Sequence, residues 1–197
     1  MDVTPAAFAR VTEKAQTARR LLLVVRLPSE PSRHRVAVWR ELRKVGALSF
    51  GQGVWAVPDV PAFEGGVSRA LELTDRAGGE AIRLDATGRG PEDADRFAAL
   101  FTAAREEDWT EFLADCGKFE EEIAKEIRTA KFTLAELEEE QPLERLRRRH
   151  RDLTARDVFG APLSGPAGER LAHCVTVCER YAELVFDALH RPGGEER

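Results

Sequence analysis

Between two short apolar runs, Ala47–Phe50 and Val54–Pro58, the chain reads Gly51-Gln52-Gly53. A glycine turn this tight leaves the two runs side by side as an antiparallel hairpin, ended by Pro58. The hairpin fixes the middle of a longer pattern. Upstream, RLLLVVRL over Arg20–Leu27 is a brief apolar run closed by Pro28, suited to a buried central strand. Pro31 is placed for a first helical turn, and Val38, Leu42 and Val45 recur at helical spacing before Gly46 stops the helix. Downstream, a helix from about Pro61 to Ala77 carries Phe63, Val67, Leu71 and Leu73, ends at Gly78-Gly79, and gives way to EAIRLDA as a fourth strand. The order is β-α-β-β-α-β. It predicts a ferredoxin-like domain over residues 19–89, with two helices on one face of a four-stranded antiparallel sheet.

After Thr87-Gly88-Arg89-Gly90-Pro91 the strand signal stops and long helical patterns take over. The predicted class is therefore α+β, the ferredoxin-like domain followed by an antiparallel helical bundle over 90–191. A short helix from Pro91 to about Arg105 is expected to bury Phe97, Leu100 and Phe101. A longer one shows Trp109, Phe112, Cys116, Phe119 and Ile123 at steps of three and four. Thr133 with Glu136 reads as a capping box, and Phe132 with Leu137 as a hydrophobic staple. Pro142 should kink or restart that helix, after which Leu143, Leu146, His150 and Leu153 form an apolar stripe. The last helix, from Pro166 to about His190, places Leu171, Cys174, Cys178, Tyr181 and Val185 on one seam. Residues 1–18 read as an amphipathic helix and 192–197 as a frayed tail.

Charge divides along the chain as the pattern does. Residues 1–90 hold fourteen Lys+Arg against ten Asp+Glu, and residues 91–197 hold sixteen against twenty-five, within a total of −5. A uniformly basic nucleic-acid coat is excluded, and any such contact is confined to the first half. The longest apolar run, Leu21–Val25, is far short of the roughly 18 residues a membrane span needs. Residues 1–18 lack the apolar centre of a secretion signal, and three cysteines form no dense framework, so a cytoplasmic location is expected.

Residues 31–45 carry Arg33, Arg35, Arg40, Arg43 and Lys44 against one acid, Glu41. At about 100° per residue, Arg33, Arg40 and Lys44 fall opposite Val38 and Leu42 with Arg43 beside them, which makes this helix face a candidate for phosphate and so for DNA. A solvated outer face is the plainer reading. Trp39 and Trp55 are expected in the core. Arg147, Arg148 and Arg151, with His150 nearby, form a second candidate for an oxyanion, set against pairing with acidic helices or, for His150, a place in the seam. Cys116, Cys174 and Cys178 lie on helix seams and read as core packing, without metal-binding CxxC spacing. No nucleophile–base arrangement, phosphate-cradling glycine loop or HExxH is present, so neither an enzyme nor a cofactor or metal is predicted.

Several segments together resemble one family. VWRELRKVGALSFGQGVWAVPD resembles the opening domain of the ChrB chromate-resistance regulators, and AKFTLAELEEEQPLERLRRR and ARDVFGAP resemble that family's helical segment. More distantly, residues 20–85 are similar to the ferredoxin-like middle domain of PaaX-type repressors and to small CRISPR adaptation nucleases. The resemblance implies a cytoplasmic, chromate-responsive transcriptional regulator that binds DNA, with chromate as effector. The nuclease relatives need an acid at the end of the first strand, and here that strand ends Val25-Arg26-Leu27-Pro28, so nuclease chemistry is not expected. About seventeen residues precede the first strand, too few for a winged helix. DNA contact therefore falls to the basic helix, with a homodimer expected by fold analogy. The alternative is a protein-interaction module of a chromate-resistance system that binds no DNA.

Overall fold

The computed structural model describes residues 19–129 and 140–190. The predicted helix over 1–18, the capping box at Thr133 and Glu136, and the tail over 192–197 lie outside them. The elements are β1 (Arg20–Arg26), α1 (Ser32–Val45), β2 (Leu48–Gly51), β3 (Val54–Pro58), α2 (Pro61–Arg76), β4 (Glu80–Ala86), α3 (Pro91–Thr129), α4 (Glu140–Arg156) and α5 (Ser164–His190). The sheet order is β2-β3-β1-β4 with every neighbouring pair antiparallel. The α+β class and the β-α-β-β-α-β order are those predicted.

Local chemistry explains the boundaries. At the end of α1, Gly46 takes φ 87°, its N–H reaches the Arg43 carbonyl at 3.0 Å, and the Ala47 N–H reaches the Leu42 carbonyl at 3.0 Å. That pair of bonds is a Schellman stop, and the left-handed residue at its centre favours glycine. In the hairpin, Gln52 (φ 46°) and Gly53 (φ 84°) supply the two left-handed positions of a two-residue turn. A bulge between Ser49 and Gly51 sets Phe50 outside the regular pairing.

Strand alternation gives the sheet two unlike faces. Leu21, Leu23 and Val25 of β1 share one face with Trp55 and Val57 of β3. Val38, Leu42 and Val45 of α1 and Phe63, Val67 and Ala70 of α2 belong to the same core. Each such aliphatic or aromatic side chain contributes about 1.5–3 kcal/mol when fully buried. The other face carries Leu22 and Val24 of β1 in register with Leu84 and Ile82 of β4. Ile82 and Leu84 are 55% and 47% exposed there.

Two compact units partition the chain, one ending at Arg105 and taking in Ala155–Ala161, the other comprising Glu106–Thr154 and Pro162 onward. The short and long helices predicted from Pro91 are one 39-residue helix, α3, because neither glycine nor proline interrupts the chain between Pro91 and Gly117. The first unit extends past the glycine-rich stretch because Phe97, Phe101 and Phe159 join its core. Phe101 lies 5.7 Å from both Phe63 and Phe159, ring centre to ring centre. Leu100, expected inside, is 47% exposed, since its neighbour Phe101 occupies the core position. Arg105 is almost wholly buried, lies over the Phe101 ring at 4.7 Å, and donates to the Gly46 carbonyl at 3.2 Å. A guanidinium is thereby fixed on the negative end of α1.

The second unit takes its core from Trp109, Phe112, Cys116 and Ile123 of α3, Leu146 and Leu153 of α4, and Cys174, Tyr181 and Val185 of α5. Successive helices reverse direction, so α5 returns parallel to α3. The Leu163 N–H donates to Glu106 at 2.8 Å, and farther along both helices the Cys174 thiol lies 3.8 Å from the Cys116 carbonyl.

Candidate functional site

The basic residues of α1 owe their availability to where its acid goes. Glu41 pairs with Arg69 of α2 at 3.4 Å, turned toward the helix layer. Arg33, Arg35, Arg40, Arg43 and Lys44 are all exposed, and no carboxylate among the described residues pairs with them. At about 100° per residue, Arg40 and Arg43 point opposite the buried Val38–Leu42–Val45 stripe, with Arg33 and Lys44 on one flank and Arg35 on the other. Arg33, Arg40, Arg43 and Lys44 therefore form a band over the outer half of the helix, with Arg35 at the edge of the buried stripe beside Trp39. Such a band can meet a row of phosphates.

Trp39 is not a core residue, contrary to expectation. It is 50% exposed, whereas Trp55 is 5% exposed on the inner face of the sheet as predicted. The reason is angular: Trp39 lies one step outside the buried stripe, on the Arg35 flank, where α1 overhangs the hairpin turn. Arg43 lies over its ring, 5.6 Å from the centre. Beneath it is a groove of about 450 Å³, lined by Val25, Arg26, Arg35, Trp39, Gln52 and Trp55 among others. Neither Arg26 nor Gln52 was singled out from the sequence, because strand pairing, not helical spacing, brings them to α1. A second cavity of the first unit, about 510 Å³ beside α2, has Asp59, Glu64 and Asp85 in its lining against Arg83. Its charge disfavours anions.

The α4 candidates separate. Arg147 pairs with Glu144 at 2.6 Å, and that hydrogen bond is the main reason the Glu144 carboxyl is held below its usual range, with the charges of Arg147, Arg151 and Arg148 adding to it. Arg148 and Arg151 are exposed. Arg149 bridges Asp115 and Glu111 of α3. His150 lies in the seam, 5.3 Å from the Trp109 ring and 5.6 Å from that of Phe112. The structure thus places His150 on a different side of α4 from any anion-facing arginine pair, and does not assemble the four into one site.

Burial lowers the His150 pKa from its ordinary 6.5. The unfolded chain then takes up the proton more readily than the folded one, so the associated stability is complete above pH 6.5 and is lost as pH falls below it. The thermal midpoint of the second unit should drop between pH 7 and pH 5.5, and His150→Leu should flatten that drop. An equal drop in the variant would assign the effect to other groups.

Cys116 and Cys174 are packing residues, and the Cys174 thiol also has polar neighbours. Cys116 and Cys174 are fully buried, and the Cys174 thiol lies 3.5 Å from a Glu120 oxygen while Arg170 holds the other oxygen at 2.6 Å. Its hydrogen bond with Cys116 first, then burial, raise the Cys174 pKa and keep it protonated. No group of three or more potential metal ligands occurs among the described residues.

The basic α1, the GVW strand and the helical segment that follow one another in this chain are the pieces spanned by a family model. The model described as "Protein ChrB, N-terminal" matches residues 35–192. The chain belongs to the ChrB family. The match starts within α1 and runs through β2–β4 and all three long helices, so the ChrB region takes in parts of both compact units. It associates the chain with chromate resistance. No curated protein matches the chain. No helix of the described residues is long and apolar enough to cross a membrane.

Proposed function

We propose that this ChrB-family protein is a transcriptional regulator of chromate resistance that binds duplex DNA through the outer face of α1 and catalyses no reaction. The observation that carries the reading is the outward band of four exposed cations, Arg33, Arg40, Arg43 and Lys44, with exposed Arg35 beside it, on one helix whose only acid is engaged elsewhere, by Arg69. Phosphate contact needs such unneutralised charge, and the acidic second half supplies none as concentrated. Chromate is the natural effector for a regulator in this setting, and the reading is of a cytoplasmic protein.

The test is retention of a labelled duplex taken from upstream of the protein's own coding sequence, near 100 mM salt. Binding to that duplex in preference to a scrambled one of equal length supports the reading. Equal or absent binding of both, together with co-purification of a protein partner, would replace it with the interaction-module reading. One observation favours that second reading: on the sheet face away from α1 and α2, Phe50, Ile82 and Leu84 are each about half exposed. An apolar face of this kind suits a protein partner, a second copy of the chain included.

A further inference from the structure

We propose that the groove between α1 and the β2–β3 turn binds a nucleotide unit, a planar base with its phosphate alongside. The proposal goes beyond duplex binding, which centres on Arg33, Arg40, Arg43 and Lys44 and shares only Arg35 with the groove. Three observations converge on it. The groove has a flat aromatic wall, Trp39, whose ring is half exposed although tryptophan is costly to leave in water. It has cations and no acid: Arg26 and Arg35 line it, and neither is paired with a carboxylate among the described residues, including Glu80, which lies opposite Arg26 across β1–β4. And it has a side-chain amide, Gln52, at a turn position fixed by its φ of 46°.

Each part matches one part of a nucleotide. A base stacks on an aromatic ring irrespective of its identity, because every base has a π-face. A guanidinium matches phosphate through paired N–H donors. An amide offers both a donor and an acceptor to a base edge. The volume of about 450 Å³ suits one such unit. A bare inorganic anion would use the arginines and leave the half-exposed Trp39 wet. An apolar ligand would leave the arginines without a partner. The groove therefore selects a planar ring that carries an anionic group.

Two sources offer that chemistry, a free mononucleotide and an unpaired nucleotide within a strand. Of the three tryptophans only Trp39 is exposed, so its fluorescence reports occupancy. The folded chain is titrated with adenosine monophosphate, with an eight-residue oligothymidylate, and with inorganic phosphate. Quenching by the monophosphate identifies a free nucleotide, and quenching by the oligomer alone identifies a nucleotide in a strand. In either case Arg35→Gln, a change at an exposed position, should weaken binding tenfold or more. Ligand-observed NMR with Trp39→Leu should show a similar loss. The Arg33→Ala, Lys44→Ala double variant alters no groove residue and should retain nucleotide binding while losing duplex affinity, which keeps a failure of this proposal distinct from a failure of the duplex reading. Absence of quenching by all three probes, or competition by phosphate as strong as by the monophosphate, would overturn the proposal.

Discussion

Replacing Gly53 by alanine is expected to cost the first unit about 3 kcal/mol, or on the order of 15 °C in thermal midpoint. Two terms combine. A φ of 84° costs any residue with a Cβ roughly 1–2 kcal/mol. The added methyl would also drive into the Val25 carbonyl oxygen, a backbone atom of the central strand that no rotamer change can move aside. Relief of the clash requires the turn to shift from β1, which breaks the 2.8 Å bond from the Val25 N–H to the Gly53 carbonyl. Gly51 provides the control. Its φ of 87° is just as unfavourable to alanine, but a methyl there meets no atom within 4 Å. Gly51→Ala should therefore lose only the conformational part, roughly 1–2 kcal/mol. Equal midpoints for the two variants, measured by calorimetry, would show that the β1 contact carries no weight.

The same turn shows what a sequence can and cannot reveal. Its glycines and flanking apolar runs announced the hairpin, and Pro31 and Gly46 bounded α1 to within a residue, because those signals act within a few positions of the chain. The band from Arg33 to Lys44 was legible for the same reason, since helical geometry alone decides which side chains oppose Val38 and Leu42. Trp39 was misread because its surroundings are not local: whether a flank of α1 is covered depends on the hairpin, and here it overhangs a groove. Arg26 and Gln52 reach that groove only because β1 and β3 pair with Val24 opposite Val54. The α3 boundary was misplaced on a different ground. Its two aromatic patterns serve different compact units, yet nothing in the sequence between them breaks the helix.

Changing Arg33, Arg40, Arg43 and Lys44 together to alanine should lower duplex affinity on the order of a hundredfold at 100 mM salt. All four are exposed, and none packs in the core, so the fold should persist with little change in melting temperature. Arg43 also lies over Trp39, so the variant frees that ring as well. An equivalent substitution of Arg147, Arg148 and Arg151 removes three cations from the second unit. Because Arg147 is already committed to Glu144, that change should move duplex affinity severalfold at most.

The most direct measurement is the salt dependence of duplex binding by the unaltered chain and by the α1 quadruple variant, read as the slope of log affinity against log salt concentration. Each phosphate contact contributes about 0.9 to that slope on B-form DNA. Loss of close to four contacts, and hence a slope shallower by between about 3 and 4, is the result that α1 binding predicts. Parallel lines of equal slope and equal affinity would contradict it.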